Sequence, residues 1–185
     1  GGFFHDVNHA GYGTYLTMHV AQCYLGQRSS RATDILDWVL SVASSTYAWP
    51  EAIHPRTLGG CIGDGHHGWA AADFILLVRN TLFMEEDNRL IITPVMPKKW
   101  FKKGNKIKVQ DAPSYFGKLD YEINFTDNKK CVLKINSKFA VEPDYIEWNL
   151  PGKIIEAIVD KTKVSAAGSK IEFSAKTRQV SIKLQ

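Results

Sequence analysis

Between Trp49 and Trp69 the chain reads WPEAIHPRTLGGCIGDGHHGW, a stretch holding three of the six histidines, two carboxylates, an arginine and five glycines. Glycines let a backbone approach a ligand closely, indole rings offer flat apolar faces, and carboxylates with imidazoles supply acceptors and protons near neutral pH. That mixture suits a sugar best. Glu51 and Asp64 are the candidates for proton transfer, Trp49 and Trp69 for stacking on a ring, and His54, Arg56, His66 and His67 for holding hydroxyls. Each has a plainer use: Glu51 as a loop carboxylate neutralised by Arg56, Asp64 as a tight-turn residue bonded to its own backbone, the tryptophans as core edges. The spacings of His54, Cys61, Asp64, His66 and His67 fit neither HExxH nor a CxxC pair, so no metal site is expected. His5, Asp6, His9 and Tyr12 make a second polar cluster, read as exposed residues near the start of the chain or as neighbours of the main loop.

Helices must position this loop. From Ala10 to Gly26, Tyr12, Tyr15, Leu16, His19, Val20, Cys23 and Tyr24 recur at three- and four-residue steps, and Gly26 is placed to stop the helix. A second helix starts near Ser30, with Ser29 or Ser30 as its cap, and runs to the Ser44-Ser45-Thr46 cluster. Pro50, Pro55 and Gly59-Gly60 forbid regular helix in the loop, and a third helix from Gly68 carries WAAADFILLVRNTLF with almost no polar face. The first half therefore reads as all-helical. After Glu85-Glu86-Asp87-Asn88, eight short β-rich runs follow, beginning at Arg89, Lys106, Lys118, Cys131, Tyr145, Ile154, Lys170 and Gln179, the pattern of an antiparallel sandwich. In Lys118 to Phe125 the apolar residues take every second position.

Charge divides the chain at the same place. Residues 1 to 82 hold four arginines and no lysine against six acidic residues, while residues 83 to 185 hold nineteen basic against thirteen acidic residues. Lys98, Lys99, Lys102, Lys103, Lys106 and Lys108 cluster around Trp100 and Phe101, but no nucleic-acid motif accompanies them, so they read as a solvated face and no nucleic-acid partner is expected. No apolar run is long enough to span a membrane, and no membrane partner is expected. Cys23, Cys61 and Cys131 are an odd number without a CxxC pair and read as reduced thiols, which points to the cytoplasm.

With loop, helix and strands together, the chain resembles the C-terminal end of glycoside hydrolases built on an (α/α)6 barrel, and above all proteins related to the amylo-α-1,6-glucosidase part of glycogen-debranching enzymes. The matching positions are Trp49-Pro50-Glu51, Gly60-Cys61 and Trp69-Ala70-Ala71. The link Gly63-Asp64-Gly65-His66-His67 departs from the shorter, Gln-containing link of that family. RLIITPVMPKKW and AVEPDYIEWNLP resemble the family's exit strand and later β-domain strands. The resemblance implies an α+β chain: residues 1–88 as about three last helices of the barrel, residues 89–185 as a β-sandwich. It makes Glu51 the catalytic base of an inverting hydrolysis of an α-glycosidic bond in an oligo- or polysaccharide, with Asp64 either binding sugar hydroxyls or serving in its place. No cofactor is implied. The general acid, and the missing N-terminal part of the barrel as a partner, would lie on polypeptide outside this sequence, leaving these residues inactive alone. The alternatives are a carbohydrate-binding or structural β-sandwich module, with Trp100, Tyr115 or Trp148 gripping glycan, and a sugar phosphorylase in which Arg56, His66 and His67 hold phosphate.

Overall fold

The computed structural model describes residues 1–5, 11–166 and 168–185, with the backbone alone at His5. The chain is α+β and divides into two compact units, Gly1–Thr81 and Leu82–Gln185. A boundary after residue 88 would fall inside the second unit, in the turn between two paired strands.

The first unit comprises β1 (Phe3–His5), β2 (Gly11–Gly13), α1 (Thr14–Gly26), α2 (Arg31–Ser41), β3 (Ala52–Ile53), β4 (Gly60–Ile62) and all but the last residue of α3 (Gly68–Leu82). Met18, Ala21 and Leu25 of α1 and Ala32, Leu36 and Val39 of α2 are buried, each set at helical spacing, and the two helices pack together. Ser30 stands at the N-cap of α2 without a side-chain bond to the helix, and of the two expected serines it is Ser29 whose hydroxyl accepts the Arg31 N–H, at 3.4 Å.

The all-helical expectation for this half is corrected. The four strands form an antiparallel sheet in the order β1-β2-β3-β4, which draws residues 3 to 62 together. Strands of two or three residues are too short for a two-residue alternation to show in sequence. Gly11 makes their close approach possible: a Cβ there would lie 2.9 Å from Cys61 Sγ and 3.0 Å from the Ile53 carbonyl oxygen. A second correction concerns α3. Ala70, Leu77 and Thr81 are buried, whereas Trp69, Ile75 and Leu76 are exposed, so its apolar composition conceals two faces.

The second unit contains β5 (Phe83–Glu86), β6 (Arg89–Ile92), β7 (Lys106–Ser114), β8 (Gly117–Asp127), β9 (Lys130–Ile135), β10 (Ile146–Asn149), β11 (Ile154–Val159), β12 (Thr162–Val164), β13 (Lys170–Phe173) and β14 (Gln179–Leu184). One sheet runs β13-β10-β6-β5 and the other β12-β11-β14-β9-β8-β7. Their inward side chains, among them Trp148, Leu90, Leu119, Ile123 and Leu133, share one core, and Leu119, Tyr121, Ile123 and Phe125 of β8 are buried in alternation as their spacing predicts. The pairing is antiparallel except between β6 and β10, which run parallel. The strands β5 and β12 were not foreseen: FMEE lacks alternation and continues a helical run, and β12 is a three-residue edge strand.

Candidate functional site

Two helices begin at the loop. α1 has no side-chain cap of its own, as Gly13 occupies the N-cap position. A main-chain carbonyl from the loop serves instead: Glu51 O accepts the Thr14 N–H at 3.1 Å, while the buried Thr14 hydroxyl donates to Pro50 O at 2.8 Å and lies 3.2 Å from Glu51 O. Two residues earlier, Trp49 O accepts the His67 N–H at 2.9 Å, and His67 O in turn accepts Ala71 N–H in the first turn of α3. The segment 49–51 is thus tied to the start of both α1 and α3. Glu51 itself is half-buried.

On the other side of this tie lies an aromatic group. Tyr15 meets the His67 ring at 5.3 Å and the Trp69 ring at 5.6 Å, and His67 and Trp69 are 5.6 Å apart. Trp69 is 66 % exposed, so its indole presents a free apolar face. Nδ1 of His67 is buried and unpartnered among the described residues. One turn along α1, His19 Nε2 lies 2.9 Å from Asp73 Oδ2 of α3, and the His19 ring stands edge-on to Tyr15. Tyr15, His19 and Asp73, which the fold brings beside His67 and Trp69, were not among the expected residues. His19 and Asp73 are far apart in sequence, and Tyr15 reads as ordinary helix packing.

The structure separates the other expected residues by task. Trp49, expected to stack on a sugar, is 2 % exposed, with its indole N–H donating to Val39 O at 2.9 Å and its ring against Phe74, so it belongs to the core. His54 shapes the loop: its Nδ1 accepts the N–H groups of Arg56 and Thr57, and its carbonyl accepts Leu58 N–H. Asp64 is exposed, and its Oδ1 accepts the His66 N–H at 3.0 Å, a turn of the kind its Gly-Asp-Gly setting suggests. Arg56 and His66 are exposed. Asp6 and His9 lie outside the described residues, and of His5 only the backbone in β1 is described. In the second unit Trp148 is fully buried, Trp100 is half-buried and Tyr115 is exposed, which leaves Tyr115 as the most open of the three for a glycan.

Among the described residues no group of three or more His, Cys, Asp or Glu side chains is gathered as a metal site, and no helix is long and apolar enough to cross a membrane.

No family model matches the chain, and no curated protein matches it. Among solved structures it is similar to a GH127 β-L-arabinofuranosidase from Geobacillus stearothermophilus T6, with a TM-score of 0.35 and 13% identity over 63% of this chain and 18% of that one. The chain therefore spans under a fifth of the length of that enzyme.

Proposed function

We propose that the helical unit supplies one catalytic carboxylate and part of the sugar-contacting surface of a glycoside hydrolase. The observation that carries this reading is the double tie of segment 49–51, which anchors the backbone of a half-buried carboxylate residue between two helix starts, where peptide N–H groups favour hydroxyl and anionic oxygens. The matching of Trp49-Pro50-Glu51, Gly60-Cys61 and Trp69-Ala70-Ala71 to the debranching-enzyme pattern supports it further.

In this reading Glu51 takes a proton from the water that attacks the anomeric carbon on the face opposite the leaving group, and the product inverts. The acid that protonates the leaving oxygen is assigned to polypeptide outside this sequence, and would stand roughly 6.5 to 9.5 Å from Glu51 across the bond, as inverting glycosidases require. Trp69 stacks on a ring, with His67 and His66 beside it. Asp64 is assigned to sugar hydroxyls rather than to proton transfer, since one of its oxygens already closes a turn. The exposed apolar residues Ile75 and Leu76 of α3 support a further helical layer packing there. The exposed free thiols Cys23 and Cys61 support a reducing compartment, the cytoplasm.

The test is the stereochemistry of turnover. The polypeptide, expressed with whatever sequence flanks these residues in its gene, is given α-linked aryl glycosides and followed by NMR. Release of the β-anomer is expected, and release of the α-anomer contradicts the inverting assignment.

A further inference from the structure

A depression of about 440 Å³ lies in the first unit between the turn after α2 and the 58–65 loop. Its apolar wall is formed by Ala43, Ala48, Pro50 and Leu58. Gly59, Gly60, Gly63 and Gly65 line the rest; Gly59 is already bonded to Thr57 and His54 and Gly60 pairs with Ile53, so a ligand there would meet chiefly the peptide groups of Gly63 and Gly65, with no side chain in the way. The lining carries one charged side chain, the carboxylate of Asp64, and no basic one. That chemistry rejects phosphate and other anions and suits an uncharged polyhydroxy ring, whose C–H face covers the apolar wall while its hydroxyls reach the peptides and the carboxylate.

Two further observations fit a ligand. Leu58 is 53 % exposed and holds φ at 56°, an unfavourable conformation for leucine in water, yet the loop is built to keep it there by the bonds to His54. The depression also abuts the segment of Glu51, through Pro50 and through Gly63, where a Cβ would lie 3.4 Å from Glu51 N.

We propose that this depression binds one neutral sugar unit of a glycan, with Asp64 accepting its hydroxyls and Leu58 covering its apolar face. The inference takes its ligand class from the proposed function but needs no chemistry at Glu51. It excludes a phosphate position at this place alone, since Arg56, His66 and His67 of the phosphorylase reading are not among its lining residues.

The test is an NMR titration of the isotope-labelled 185-residue chain with maltotriose, and separately with inorganic phosphate. Saturable shifts of the Gly59, Gly60, Gly63 and Gly65 amides are expected with maltotriose, at a dissociation constant on the order of 1 mM. Phosphate should leave them unmoved. Asp64→Asn keeps an oxygen for the His66 N–H but loses the charge, and should weaken binding about tenfold. Ala43→Phe should block it. Unmoved glycine amides with maltotriose, equal binding by Asp64→Asn, or comparable shifts with phosphate would each overturn the proposal. Because no turnover is read, failure here leaves the role of Glu51 standing, and an inactive Glu51 would leave this result standing.

Discussion

The carbonyl of Glu51 and the backbone of Thr14 form one joint: the Thr14 N–H donates to Glu51 O at 3.1 Å, and the hydroxyl of the same threonine lies 3.2 Å from that oxygen and 2.8 Å from Pro50 O. A helix that lacks its own cap is closed by the loop that carries the proposed base. Stability of the helical unit and placement of Glu51 therefore share a part.

Thr14→Val keeps the shape and removes the hydroxyl, leaving Pro50 O without that donor. A loss of about 1 to 2 kcal/mol is expected in urea unfolding followed by helical circular dichroism, with Thr14→Ser close to wild type. A Val variant as stable as wild type would show that the joint does not hold the helix.

The two tryptophans that bracket the loop should behave oppositely. Trp49→Phe loses the bond to Val39 O and part of the packing on Phe74, and should cost about 2 to 3 kcal/mol. Trp69→Ala, at an exposed site, should change stability by less than ~0.5 kcal/mol while weakening any glycan binding. The reverse pattern of unfolding midpoints would refute both assignments.

Gly11→Ala forces a methyl against Cys61 Sγ and the Ile53 carbonyl. The sulfur can swing away, but the carbonyl belongs to β3 and cannot, so a loss of about 1 to 3 kcal/mol is expected, only partly relieved by adding Cys61→Ala. Full rescue by the double variant would place the whole clash on the thiol.

In the second unit, burial pushes the phenol of Tyr121 well above its ordinary range, and its hydroxyl donates to Leu82 O at 2.9 Å. The raised value makes the protonated form the folded one. Its stabilising share is complete below the unfolded value of about 10 and falls as pH climbs past it, because only the unfolded chain releases the proton. Burial raises the Cys131 thiol in the same sense, so its loss begins earlier, near ~8.5. Urea midpoints across the alkaline range should fall in wild type and flatten in their upper part in Tyr121→Phe. A phenolate absorbance difference between the two, seen at ordinary phenol pH while the unit is still folded, would contradict this.

How much of this was visible in the sequence depends on the length over which a pattern repeats. The strand Gly117–Asp127 was legible because four inward residues alternate along it, and α2 because Leu36 and Val39 recur at a helical step. α1 was legible as a helix but on the wrong face: none of Tyr15, Leu16, His19, Val20 and Cys23, read as its stripe, is buried, while Thr14, Thr17, Met18, Ala21 and Leu25 are. β1 to β4 were not legible, because each has two or three residues and exists through its neighbours. The candidate site was legible as a stretch of sequence and less so in the places its side chains take. The density of functional residues marked the loop, and Gly-Asp-Gly announced a turn, which Asp64 makes. Nothing local said that Trp49 would be sealed against Phe74 while Trp69 stood open, or that His19 would meet Asp73.

The central claim is tested most directly by comparing Glu51→Gln with Asp64→Asn in the polypeptide expressed with its gene's own flanking sequence. The measurement is kcat and KM for hydrolysis of an α-linked oligosaccharide. Glu51→Gln should lower kcat by at least ~10³-fold with KM little changed, whereas Asp64→Asn should raise KM and keep kcat within about tenfold. Near-normal kcat in Glu51→Gln, or a collapse of kcat in Asp64→Asn alone, would contradict the account.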